Sequence, residues 1–156
     1  MKYISPLIVV NDIATSREFY EKMLGQKIKY DFGANVTFEG DFSIHLERHF
    51  QDLIGERFQI LKKANNFELY FETEELEIII QKLRASKVEF IHDIKEQPWG
   101  QRVARFYDPD HHIIEIGESM DSVILRYHRA GFLPKDIHKK TSMPMEVIEQ
   151  TIFRKG

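Results

Sequence analysis

Glu115 is the side chain in this sequence best placed to do chemistry: a carboxylate inside the apolar run Ile113-Ile114-Glu115-Ile116. On a strand, Ile114 and Ile116 take one face while Ile113 and Glu115 take the other. A carboxylate in that setting is solvated, paired, or holding something. Upstream lies Pro98-Trp99-Gly100, which contains the only tryptophan. Trp99 can stack on a planar ligand while Arg102 or Arg105 meets an anionic group, or it can plug the mouth of a barrel. Tyr70 shares a strand face with Glu68 and Glu72; it is a further candidate for ligand contact, the alternative being a solvated sheet face. His111-His112 has the residue types of a metal pair, but neighbours on a strand point to opposite faces, so a turn position followed by a strand entry is expected. Cysteine is absent, which removes thiolate ligands and nucleophiles. No glycine-rich phosphate loop, nucleophile elbow or HExxH pattern is present.

The elements that must position these residues begin with a hairpin over Gln97 to Glu118. One strand runs through Val103, Arg105 and Tyr107, a turn follows at Asp108-Pro109-Asp110-His111, and a return strand carries Ile113 to Ile116. Pro109 suits the second position of a type I turn, and Asp108 can bond back to the turn amides. Earlier, Tyr3 to Val10 reads as a strand. Asp12 caps a helix with Ile13, Phe19, Tyr20, Met23 and Leu24 at helical spacing, and Gly25 stops it. Three strands are expected next, over Gln26 to Phe32, Asn35 to Glu39 and Phe42 to Arg48. His49 to Asn65 is a connection with a short helix. The pattern then restarts: a strand through Phe67, Leu69 and Phe71, a Thr73 cap, a stripe of Leu76, Ile79, Ile80 and Leu83, and a strand from Val88 to Ile94 ahead of the hairpin.

Two copies of βαβββ amount to an internal repeat, with Ser5 and Glu68 offset by 63 and His45 and Glu115 by 70. The expected fold class is α+β: two βαβββ modules, about 1–48 and 66–118, forming a cupped mixed sheet that leaves room for a ligand, followed by a helical appendage over 119–156. The length of 156 residues allows one such domain with its appendage. Apolar content of 42% with 30% charged residues fits a globular protein, and a net charge of −3 argues against a general nucleic-acid binder. The N-terminal run is too short and too strand-like for a signal peptide, and no run reaches membrane-spanning length, so a cytoplasmic protein that avoids membranes is expected.

The closing hairpin, an arginine-bearing strand followed by Asp108-Pro109-Asp110 and an apolar strand with a glutamate seven residues after the first aspartate, resembles the last hairpin of the vicinal-oxygen-chelate superfamily. That superfamily includes glyoxalases, bleomycin-resistance proteins, fosfomycin-resistance enzymes and extradiol dioxygenases. His111 stands where the family usually has glycine, and histidine enters the left-handed region less reluctantly than most residues. The resemblance implies a metal position on the first and last strand of each module, here Ser5, His45, Glu68 and Glu115. His45, Glu68 and Glu115 would hold one divalent ion, Zn²⁺, Mn²⁺ or Fe²⁺, with Glu115 the catalytic carboxylate of a lyase, isomerase or dioxygenase. Serine at the first position, and histidine and acid exchanged at His45 and Glu68, depart from the usual order. The favoured expectation is therefore a metal-free cup that binds a small organic molecule, as in the bleomycin-resistance branch.

Beyond Gly117, Met120, Val123, Ile124 and Tyr127 form a helical stripe that Gly131 stops, and Pro134 and Pro144 open two more helices. The three helices resemble a helix-turn-helix, which raises a second class of function, a ligand-responsive DNA-binding regulator. Residues 119–156 hold seven Lys/Arg against four Asp/Glu, yet the would-be reading helix, Pro144 to Phe153, carries Glu146 and Glu149 and no cation. Such a helix repels phosphates. An appendage that packs on the cup, covers a sheet edge or builds a homodimer contact is expected instead.

Overall fold

A computed structural model describes residues 1–55 and 57–156; Glu56, within the connection His49 to Asn65, lies outside the described residues. The chain divides into two compact units. One comprises Met1–Glu68, Gln81–Glu89 and Tyr107–Ile113, and the other Leu69–Ile80, Phe90–Phe106 and Ile114–Gly156.

The first unit contains strands β1 (Leu7–Val10), β2 (Ile28–Asp31), β3 (Asn35–Phe38) and β4 (Ser43–Leu46) in the order β1-β4-β3-β2. β1 runs parallel to β4, whereas β3 is antiparallel to both β2 and β4. In this register Ile8, Ile44 and Val36 share a face with Val10 and Phe38, and all five are buried. Helix α1 (Ile13–Glu18) starts where the Asp12 carboxylate accepts the Thr15 amide at 2.7 Å. It continues as a π-helical turn, Phe19–Met23, that closes from the Leu24 N–H to the Phe19 carbonyl. Phe19 and Tyr20 are both buried there, and the Tyr20 ring lies 5.5 Å from Phe38 and 5.2 Å from Phe42. β4 ends at Leu46 rather than Arg48, because Leu46 pairs with Val10, the last residue of β1, and later residues have no ladder to join. The freed chain turns at once into helix α2 (Glu47–Ile54).

The second sheet repeats the first in connectivity. β5 (Glu68–Thr73), β6 (Phe90–Glu96), β7 (Arg102–Tyr107) and β8 (Ile113–Glu118) take the order β5-β8-β7-β6, again placing the first strand beside the last. Helix α3 (Leu76–Ala85) follows a Thr73 hydroxyl that accepts the Glu75 amide at 3.0 Å. Leu69, Ala104, Phe106, Ile114 and Ile116 are buried, as are Leu76 and Ile80 of α3. By alternation, Tyr70, Arg105 and Glu115 lie on the opposite face of their strands.

The hairpin tip belongs to the first unit, and its two aspartates show why. Asp108 is fully buried at its side chain and accepts the Asp110 and His112 amides at 2.9 and 2.8 Å, the Tyr20 hydroxyl at 2.8 Å, and a bond with His112 Nδ1 at 2.9 Å. Asp110 accepts the Asn11 amide at 2.9 Å and the Ser16 hydroxyl at 3.3 Å. The turn motif therefore ties itself to the β1–α1 segment. His111 takes the left-handed conformation expected of it, φ 66°.

Helices α4 (Met120–Arg129), α5 (Pro134–Thr141) and α6 (Met145–Lys155) bury Val123, Ile124, Tyr127, Ile137 and Ile148 in a core of their own. Pro134 and Pro144 stand at helix starts as expected, and Ser142 makes the left-handed turn between α5 and α6. Tyr127 also reaches the β6–β7 loop. Gly100 sits there at φ +86°, and a Cβ on it would come within 2.6 Å of the Tyr127 hydroxyl.

Candidate functional site

Two polar sheet faces, one in each unit, hold most of the residues singled out in the sequence. On the second sheet, Glu115 of β8 is buried and ion-paired with Arg105 of β7. Arg105 also donates to His92 Nε2 on β6 at 3.2 Å, and His92 Nδ1 faces the Asp93 carbonyl at 2.8 Å. That pattern places the His92 proton on Nδ1 and leaves Nε2 as the acceptor. The arginine is thus held from both sides.

Next to this pair a chain of hydrogen bonds runs across the face. Trp99 Nε1 donates to Gln101 Oε1 at 3.1 Å, Gln101 Nε2 donates to the Tyr70 hydroxyl at 2.6 Å, and that hydroxyl donates to Glu72 Oε1 at 2.8 Å. Burial pushes the Tyr70 hydroxyl up, and the bond to Glu72 adds to the shift, giving a value of about 12. It stays protonated and serves as a donor. Gly117 lies under this chain: a Cβ there would meet Val103 Cγ1 at 3.0 Å and Gln101 Nε2 at 3.2 Å. Trp99 is 43% exposed and Tyr70 45%, so both rings are open to a ligand. Glu68, at the start of β5, is exposed.

Arg102 does not join this face. It is three residues before Arg105 on the same strand and so points to the opposite side. There it binds the buried Glu118 and, at 2.6 Å, Glu77 of α3. Arg126 of α4 reaches the same Glu118 carboxylate at 3.1 Å. Glu118 and Arg126 were absent from the sequence-derived candidates. Alternation along Glu115-Ile116-Gly117-Glu118 signals that Glu118 faces away from Glu115, but no local pattern names two arginines as its partners.

On the first sheet His45 is buried beside Asn35 and His49. Asn35 Nδ2 faces His45 Nδ1 at 3.2 Å, and His45 Nε2 faces His49 Nδ1 at 2.8 Å, with the two rings stacked 4.9 Å apart. With the Asn35 amide donating to Nδ1, the His45 proton sits on Nε2 and points at His49. His49 was a missed partner. The spacing His45-x-x-x-His49 was its signal, hidden because the strand was expected to run on to Arg48.

Burial, then the neighbouring His49, hold the His45 imidazole below its ordinary 6.5. The folded state therefore binds this proton less readily than the unfolded chain. The stability that follows is complete above about pH 6.5 and is lost as pH falls through the lower folded value. The melting temperature should fall between pH 7 and 5.5 more steeply in the wild-type protein than in His45→Gln. Equal slopes would show that His45 contributes nothing to the pH dependence.

The donor set fits a metal poorly. His45 Nδ1 accepts from Asn35 and its Nε2 faces His49, while Glu115 is committed to Arg105. Among the described residues, no three His, Asp or Glu side chains form a group able to hold an ion. Ser5 precedes β1, outside the strand.

The fold and the hairpin place the chain in a known class, and comparison with other proteins agrees. Residues 3–121 match the glyoxalase-like domain family, and the chain belongs to it. It is 32% identical over 126 residues, 74% of this chain and 97% of the relative, to the uncharacterized protein YraH of Bacillus subtilis. A protein of unknown function from Agrobacterium tumefaciens is similar at 44% identity and TM-score 0.68, over 76% of this chain and 94% of that one. A glyoxalase-related enzyme from Fulvimarina pelagi shares the fold at 16% identity and TM-score 0.65, over 77% and 90% of the two chains. No helix among the described residues is long and apolar enough to cross a membrane.

Proposed function

We propose that this chain binds a small planar organic molecule on the Trp99–Tyr70 face of the second sheet, without a resident metal ion. The pairing of Glu115 with Arg105 supports this reading best. It commits the carboxylate that a metal-dependent member would use as a ligand and leaves two half-exposed aromatic rings beside it. Charge narrows the ligand class. Arg105 is already neutralised by Glu115, so it is not available to an anion, and Glu72 remains as an exposed acceptor at the end of the hydrogen-bonded chain. A neutral or cationic ring system with a hydrogen-bond donor fits that face better than a carboxylate does.

Trp99 is the only tryptophan, so its fluorescence reports on this face alone. Titration with 1-methylquinolinium should quench it saturably, 1-naphthoate should quench it weakly, and Glu72→Gln should weaken the cation by about fivefold, the effect of one partly screened charge. A preference for naphthoate, or quenching that never saturates, would overturn the reading. A stoichiometric metal in the purified protein, whose removal by EDTA lowers the melting temperature, would favour a metal-dependent lyase, isomerase or dioxygenase using His45, Glu68 and Glu115.

A further inference from the structure

We propose, on the reading that Trp99 and Tyr70 carry the ligand, that the buried amide of Gln101 determines the specificity of this face. It fixes the direction of the hydrogen bonds there and so restricts the face to ring systems that donate an N–H or O–H group. Gln101 is only 6% exposed, and its amide meets three groups: Trp99 Nε1 at 3.1 Å, the Tyr70 hydroxyl at 2.6 Å and the Glu118 carbonyl at 2.7 Å. Gln101 is a positioning residue, acting on a ligand through the two rings it holds.

Two of those partners have a single role each, and together they orient the amide. An indole N–H can only donate, so the Gln101 oxygen faces Trp99. A backbone carbonyl can only accept, so the Gln101 nitrogen faces Glu118 and gives it one hydrogen. The second hydrogen on that nitrogen points at the Tyr70 oxygen, which must accept it. The Tyr70 proton then goes to Glu72 Oε1 at 2.8 Å, because a carboxylate accepts and does not donate. With the Tyr70 pKa pushed up to about 12, chiefly by burial, the hydroxyl stays protonated and the chain keeps this direction across the neutral range.

The side-chain donor hydrogens of Trp99, Gln101 and Tyr70 are all committed within this chain. What faces a ligand beside the half-exposed rings is the second lone pair of the Tyr70 oxygen and the exposed Glu72 carboxylate, both acceptors. A ligand group that only accepts, such as an ether, gives up its bonds to water there without replacement. A ring amine meets its complement. Glycine at 117 belongs to the same arrangement, since a Cβ there would crowd Gln101 Nε2 at 3.2 Å and shift the amide that links the rings.

The test uses the full chain, with calorimetric titration of 6-amino-1-methylquinolinium and 6-methoxy-1-methylquinolinium. Both are permanent planar cations of nearly equal size; the amino group donates hydrogen bonds, whereas the methoxy group only accepts them. The amino compound should bind about tenfold more tightly, the effect of one hydrogen bond to a charged acceptor. Gln101→Met keeps the length of the side chain but removes its hydrogen bonding, which frees the Trp99 N–H and releases the Tyr70 hydroxyl. The variant should reduce the preference to about threefold or less, whereas loss of a purely structural role would weaken both cations by the same factor and leave the ratio unchanged. Equal binding of the two cations by the wild-type protein, or a preference that Gln101→Met retains in full, would overturn the proposal and leave ring binding intact. If neither cation binds saturably, ring binding on this face is itself overturned, and the role of Gln101 with it. Should melting show that Gln101→Met does not fold, the wild-type preference decides alone.

Discussion

Asp108→Ala is expected to lower the unfolding free energy by about 3–5 kcal/mol, the range found when one member of a buried, hydrogen-bonded charge network is removed. The Asp108 carboxylate is excluded from solvent and satisfies two amides of its own turn, the His112 ring and the Tyr20 hydroxyl. Alanine would leave these groups buried without partners, and each orphaned group costs about 1–3 kcal/mol. Asp108→Asn keeps an acceptor for the turn amides and should cost less, while Tyr20→Phe removes a single bond and should cost about 1 kcal/mol. Tyr20 itself is held protonated: burial comes first among the causes, with the Asp108 charge and hydrogen bond adding to it, and together they raise its pKa well above 10. Urea denaturation of the single and double variants gives the coupling directly. If Asp108→Ala unfolds within about 1 kcal/mol of the wild-type protein, the motif is only a turn and does not staple the β1–α1 segment.

Glu118→Ala should cost about 2–4 kcal/mol, because it removes the buried acceptor of two guanidiniums and of the Arg102 amide, which Glu118 Oε2 accepts at 3.1 Å, while Glu77 and Glu96 still hold the outer nitrogens of the arginines. Burial alone would raise the Glu118 carboxyl, but hydrogen bonds from Arg102, Arg126 and the Arg102 amide outweigh it and hold the group below its ordinary 4.5. Because the folded value is the lower one, this contribution is present above about pH 4.5 and is lost as pH falls through the folded value. A wild-type acid transition that Glu118→Gln makes shallower would bear this out. The same transition in both proteins would place the acid-sensitive group elsewhere. Glu118→Gln should still be destabilised at pH 7, since a neutral amide gives up the charge-assisted bonds that two arginines make to this carboxylate.

Turn chemistry and strand alternation are local, and from them Asp108-Pro109-Asp110-His111 was readable as a turn with His111 in the left-handed region. The repeat was equally plain, and both sheets take the order in which the first strand lies beside the last. The three helices of the appendage were legible from apolar spacing and proline positions, which depend only on helix periodicity. Arg102 and Arg105 were both expected at the ligand, although their spacing of three residues on one strand puts them on opposite faces.

Tertiary structure alone decided what each polar group binds. Asp108 meets Tyr20 across 88 residues of chain, and Arg102 meets Glu77 across 25. Residue types restrict such partners to complementary charge or hydrogen bonding, and many candidates satisfy that restriction. Selection among them comes from packing, which brings one pair within bonding distance while excluding water. The end of β4 shows the same dependence: the chain leaves the sheet at Leu46 because its partner strand β1 ends at Val10, and this carries His49 onto α2, where it can meet His45. Glu115 was recognisable as a carboxylate that had to be solvated, paired or holding a ligand, and the position of Arg105 on the neighbouring strand decided in favour of paired.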